Sequence, residues 1–109
     1  MEFLKRVQKE HPADFWANIT LGDAVLWAAP VEAAGYYRAA LANRPEAAVA
    51  YTALGDALRV QKRYDEAHRY YRQALEIDPD YARGQTGLGN LHKDRGQLDE
   101  AIACYRKVL

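Results

Sequence analysis

The chain of 109 residues contains no serine, which removes the commonest hydroxyl nucleophile and the commonest phosphorylation target in one observation. It has a single cysteine, Cys104, so no intramolecular disulfide can form. A lone thiol fits a reducing compartment, and the cytoplasm is the default expectation. Charge of either sign is not in excess: fifteen basic and fifteen acidic side chains cancel. No bulk field therefore draws the chain to nucleic acid or to an anionic membrane, and neither is expected as a partner. No apolar run approaches the ~20 residues of a membrane span, and residues 1–6 meet charge too early for a signal peptide. His11, His68 and His92 show no paired ligand spacing among themselves or with Cys104, so no metal and no cofactor are expected.

What the chain does have is a period. Leu54-Gly55 recurs as Leu88-Gly89, Asp65-Glu66-Ala67 as Asp99-Glu100-Ala101 and Tyr71-Arg72 as Tyr105-Arg106, each at a step of 34 residues. The same step backward takes Tyr70-Tyr71-Arg72 to Tyr36-Tyr37-Arg38, Leu75 to Leu41 and Pro79 to Pro45. A fixed period of this size means a stack of supersecondary units rather than one irregular core. Within a unit, Tyr51, Leu54, Gly55 and Leu58 recur at helical spacing. After the polar break Gln61-Lys62-Arg63, so do Ala67, Tyr71, Ala74 and Leu75. The expected architecture is all-α, with helices near 2–10, 13–28, 31–43, 47–61, 65–77, 81–95 and 99–109, and no strand.

Helix ends have their own signals. Asp65 and Asp99 are expected as caps of the second helix, accepting from free backbone N–H groups and opposing the positive end of the dipole. Arg44-Pro45 and Asp78-Pro79 should stop the second helices, because proline restricts the residue before it. Gly22 lies 33 before Gly55, one short of the period, and Ala28-Ala29-Pro30 replaces the polar turn, so a tighter turn is expected there with Pro30 opening the next helix. The paired carboxylates occur at the same place in each unit, which fits a structural role; catalysis needs one unique constellation. Cys104, in the later half of a helix, is expected to be unreactive.

A leucine-glycine pair in the first helix, an early alanine in the second, an aromatic four residues later and a closing proline, repeated every 34 residues, resemble the tetratricopeptide repeat. The resemblance covers nearly the whole chain and is strongest over 46–109. It implies a right-handed superhelical stack of antiparallel helical hairpins in a single domain. Residues 1–11 would be a truncated preceding helix, 12–45 the first repeat, 46–79 the second and 80–109 a third, incomplete one. It also implies a non-enzymatic module that binds a protein or peptide along the concave face of its first helices. A second resemblance links the run His11-Pro12 through Asp14-Phe15-Trp16-Ala17-Asn18 to Leu21-Gly22 with arrays that follow the catalytic domain of some large bacterial serine/threonine protein kinases. This chain has none of the kinase motifs, so any such activity would belong to another part of a parent protein.

In the family, residues six and three before the glycine, and one, four and five after it, face the concave groove. Those offsets do share one helical face. The first unit supplies Trp16, Ile19, Asp23, Leu26 and Trp27, the second Val49, Thr52, Asp56, Arg59 and Val60, and the third Arg83, Thr86, Asn90, Lys93 and Asp94. The face grades from apolar to basic. The tryptophans either hold apolar groups of a ligand or pack on the helix at 2–10; Arg59, Arg83 and Lys93 either receive an acidic group or are simply solvated. The family's clamp for chaperone C-terminal carboxylates is not matched. Its positions hold Ile19, Asp23, Ala53, Arg83 and Gly87, and Asp23 would repel a carboxylate. Both ends read as cut from a longer array, so Leu88, Leu91, Ile102, Tyr105, Val108 and Leu109 are expected to form an association surface. That surface would meet the Phe3-Leu4-Val7 helix of another copy, or its own equivalent across a twofold axis.

Overall fold

A computed structural model describes residues 14–109; the helix expected at 2–10, Pro12 and the Phe3-Leu4-Val7 set lie outside the described residues. The described residues form six helices: α1 (Phe15–Val25), α2 (Pro30–Asn43), α3 (Ala48–Val60), α4 (Tyr64–Ile77), α5 (Ala82–Asp94) and α6 (Leu98–Arg106). They contain no strand. None of these helices is long and apolar enough to cross a membrane. Helices pair as the antiparallel hairpins α1–α2, α3–α4 and α5–α6, and each hairpin packs on the next through α2 against α3 and α4 against α5. The fold is an all-α helical-repeat solenoid.

The stack curves because its two edges differ. Along one edge the backbones of α1 and α3 and of α3 and α5 come close, whereas those of α2 and α4, and of α4 and α6, do not. The first helices therefore form the inner, concave row and the second helices splay apart outside. Small residues line the helix contacts: Ala50, Ala53 and Ala57 are buried on α3, and on α5 Gly84 and Gly87 are buried where Leu75 and Tyr71 of α4 pack.

Helix ends follow local chemistry, with corrections. Arg44 and Asp78 take extended conformations as the prolines after them require, and α2 and α4 stop there. Pro30 does open α2. The shortened first unit does not tighten its turn, however. The connection Leu26–Ala29 is longer than Gln61–Arg63, and the missing residue is taken from the end of α1. The later turns rely on a left-handed residue, Lys62 in one and Gly96 in the other, and the Ala28-Ala29-Pro30 turn uses none. Asp65 and Asp99 are not caps: α4 and α6 begin one residue earlier, neither start has a side-chain cap, and both carboxylates lie inside the first turn. They still oppose the dipole there, and Asp65 also pairs with Arg95 at 3.4 Å. Among the described helices, only α1 has a side-chain cap, Asp14 accepting from Ala17 N at 2.9 Å.

Candidate functional site

The concave row is organised by a ladder of tyrosines. In each hairpin a tyrosine of the second helix lies flat on a glycine of the first. A Cβ built on Gly22, Gly55 or Gly89 would stand 2.3, 2.7 or 2.6 Å from the ring of Tyr37, Tyr71 or Tyr105. Tyr71 is gripped from both sides, since a Cβ on Gly87 of the following hairpin would also come within 2.5 Å of it. Each ring then aims its hydroxyl at the residue after the glycine. Tyr37 donates to Asp23 at 2.6 Å, Tyr71 to Asp56 at 2.5 Å and Tyr105 to Asn90 at 2.6 Å. The sequence showed tyrosines, glycines and carboxylates at one period but not this bond. The signal available was the Asp, Asp, Asn series directly after the three glycines.

The middle rung extends into a polar chain across two repeats. Arg59 donates through Nε to the Tyr71 hydroxyl at 3.3 Å and through Nη1 to Asp94 at 3.0 Å. Burial pushes the Asp56 carboxyl above the usual carboxylate range, against the pull of the Tyr71 bond and of Arg59 and Arg83. Burial also raises the Tyr37 and Tyr71 hydroxyls, each assisted by the carboxylate it serves. These phenols stay protonated and act as fixed donors.

Against this geometry the expected groove residues divide. Trp16 and Trp27 are 55% and 72% exposed, Asp23, Arg83, Thr86 and Lys93 are also open, and Val49, Asp56, Arg59, Val60, Leu26 and Asn90 are partly covered. Ile19 and Thr52 are not groove residues. They share their offset with Thr86, but they fall in the seam between successive inner helices and are buried, and the Thr52 hydroxyl has no partner there. Thr86, at the same offset on α5, is exposed. Arg59 is not a free acceptor of acidic groups either, since Asp94 already occupies its guanidinium.

The expected association surface also divides. Leu88 and Leu91 are interior, packed with Leu58, Tyr71 and Cys104, because α5 turns them toward α4 and α6. Ile102, Val108 and Leu109 are exposed, and Tyr105 is half-buried. Leu98, 60% exposed on the same helix, was not anticipated. Cys104 is buried, and that burial pushes its thiol up. His92 stands at a hairpin contact, edge-on to His68 with ring centroids 6.0 Å apart, and it shares a hydrogen bond with Gln97. Among the described residues no cluster of three or more His, Cys, Asp or Glu side chains is placed to hold a metal ion.

Comparison with known proteins matches the geometry. Two family models, each described as tetratricopeptide repeat, match residues 48–81 and 70–103. No curated protein matches the chain. Among solved structures, a crystal structure of MamA is 24% identical with a TM-score of 0.78, over 96% of this chain and 62% of that one. MamA from Desulfovibrio magneticus RS-1, residue 41 to the end, is 24% identical at 0.80, over 96% and 60%. Another MamA crystal structure is 26% identical at 0.79, over 99% and 60%. The chain thus spans about three-fifths of the length of these structures. From the two overlapping repeat matches and the hairpin stack with its tyrosine-on-glycine contacts, the chain belongs to the tetratricopeptide-repeat family.

Proposed function

We propose that the chain is a cytoplasmic scaffold module that binds a protein or peptide along the concave row of α1, α3 and α5 and has no catalytic role. The observation that carries this reading is the tyrosine ladder. It fixes Asp23, Asp56 and Asn90 at regular intervals along the inner face, so the polar groups of a ligand backbone would meet acceptors already held in place. At one end, exposed Trp16 and Trp27 offer apolar area to anchor a side chain; at the other, Arg83 and Lys93 are the exposed cations left after Arg59 is bound internally. The preferred ligand is an extended segment with an aromatic or aliphatic residue toward the α1 end and an acidic one toward α5.

The test is selection from a random peptide library displayed on phage, followed by fluorescence anisotropy with the selected peptide. Trp27→Ala and Arg83→Glu should each weaken binding about tenfold, as loss of one anchor does, while Lys107→Ala on α6 should not. Equal losses from all three would place the ligand on another surface. A second reading, a self-assembling repeat unit, is favoured by one observation, the exposure of Leu98 and Ile102 on α6.

A further inference from the structure

The two joints of the stack differ in kind. Between the second and third hairpins three polar pairs cross the joint: Arg59 with Asp94 at 3.0 Å, Asp65 with Arg95 at 3.4 Å, and His68 edge-on to His92 with ring centroids 6.0 Å apart. The period places the counterparts of these pairs at the joint between the first and second hairpins. There the positions hold Leu26 and Val60, Val31 and Gln61, and Ala34 and Leu58, the last two buried. Among the described residues no ion pair crosses that joint, and a hydrogen bond from Gln61 to the Pro30 carbonyl does, at 3.4 Å. The first joint rests on apolar packing; the second adds charges and two imidazoles to its apolar contacts.

We infer that the second joint responds to acid: charging His68 and His92 pushes the third hairpin off the second, while the first joint stays closed. Imidazole gains its charge between about pH 7 and pH 5, a range in which ordinary carboxylates remain ionised. His92 shares its Nδ1 hydrogen bond with Oε1 of Gln97, an acceptor, so Nε2 is the nitrogen that takes up the second proton. The groups around the pair favour separation once it is charged. Arg72 of α4 and Arg95 at the end of α5 add two cations, and the opposing carboxylate, Asp65, is already drawn to Arg95. Arg59 of α3 is held by Asp94 and Glu66 by Arg63. Arg69 and Glu76, of opposite sign, border the hollow that His68 also lines, and the α5–α6 turn contributes the neutral Gln97. In the closed joint burial, and then His92, Arg72 and Arg95, lower the proton affinity of His68. A proton therefore binds more readily once the joint is open, and acid favours the open form.

Hydrogen exchange of the full chain at about pH 7.5 and about pH 5, read by mass spectrometry and corrected for the intrinsic effect of pH, measures the opening of each joint. Two like charges about 6 Å apart, at a partly exposed site, shift an opening equilibrium about tenfold. Protection of α5 and α6 should therefore fall about tenfold in acid, while that of α2 and α3 changes by less than about twofold. His68→Ala with His92→Leu installs the residues of the first joint in the second and should abolish the acid loss. His68→Gln repeats the reading if the double variant does not fold, and should cut the loss to about twofold. His68→Lys, charged at neutral pH, should lower the protection of α5 and α6 already at about pH 7.5. Protection of α5 and α6 that does not change with pH in the wild type would overturn the proposal. So would an equal acid loss in every helix, which would mean unfolding of the whole chain, or a full loss retained by His68→Gln, which would assign the response to other groups.

Discussion

One substitution made at several glycines has opposite consequences because of what stands beside each. Gly35 lies inside α2 with nothing within 4 Å of the place a Cβ would take. Replacing it with alanine should stabilise the protein by about 1 kcal/mol, the usual helix preference of alanine over glycine. At Gly55 the same gain applies, but the new methyl would sit 2.7 Å from Cε1 of Tyr71. That ring is fully buried and held on its other side by Gly87, so it has nowhere to move. Overpacking of this kind costs about 1–3 kcal/mol. Displacing the hydroxyl from Asp56 forfeits a bond to a charged group worth about 1.5–3 kcal/mol. The net is a loss of about 3 kcal/mol, so the two alanines should differ by about 4 kcal/mol, more than 10 °C in melting temperature for a chain of this size. Gly89→Ala should fall between them. Its neighbour Tyr105 is half-buried and, among the described residues, meets only this one glycine where Tyr71 meets two, so the ring has more room to tilt away. Urea unfolding followed by circular dichroism measures all three. If Gly55→Ala came within about 0.5 kcal/mol of Gly35→Ala, the close packing of Tyr71 would be refuted as a source of stability.

Tyr71→Phe keeps the ring and removes only the donor to Asp56 and acceptor for Arg59; it should cost about 2 kcal/mol, against about 1 kcal/mol for Tyr105→Phe, whose partner Asn90 is neutral. Equal losses in urea titrations would mean that the charge on Asp56 adds nothing. Lys62 holds a left-handed φ of 63° where the next repeat uses Gly96 at 76°, so Lys62→Gly should stabilise by about 0.5–1 kcal/mol and Gly96→Ala should destabilise by about 1 kcal/mol. Thermal melts showing no change in either would dismiss backbone strain at the turn. Burial, with the nearby charges of His92, Arg72 and Arg95, lowers the proton affinity of His68 against the opposing pull of Asp65. The unfolded chain therefore takes up that proton first. The contribution of His68 is whole above about pH 6.5 and is lost as pH falls through the depressed folded value. His68→Gln should flatten the decline in melting temperature on acidification, and parallel curves for the two proteins would reject the assignment.

The hairpins and their order were legible because each rests on residues close in sequence and repeated by the period. The burial of Ile19 and Thr52 was not, because their offset is shared with the exposed Thr86. Burial depends on what packs across the stack, which the offset does not record. Likewise, Arg59 offered itself as a ligand-binding cation until Asp94, a full repeat away, proved to be its partner. Asp65 and Asp99 looked like caps because aspartate favours that place, but Tyr64 and Leu98 extend their helices by one residue first. Leu88 and Leu91 were expected on an association surface, yet α5 turns them onto α4 and α6. In each case a local pattern was correct about the helix and silent about the neighbour across the stack.

The unequal edges of the stack have a mechanical consequence. Close-packed along α1, α3 and α5 and more open along α2, α4 and α6, the described residues should act as a leaf hinge, more compliant in bending toward or away from the inner row than in stretching along it. Between the splayed outer helices lies a hollow of about 800 Å³ bordered by Leu41 and Tyr51 and by Arg69, Arg72 and Glu76 of α4. That hollow can narrow or widen without breaking any close backbone contact between outer helices, because their backbones stay apart. A guest that adjusts the pitch of the inner row would therefore be felt as strain on the far side of the protein, at charged surface residues that it never meets.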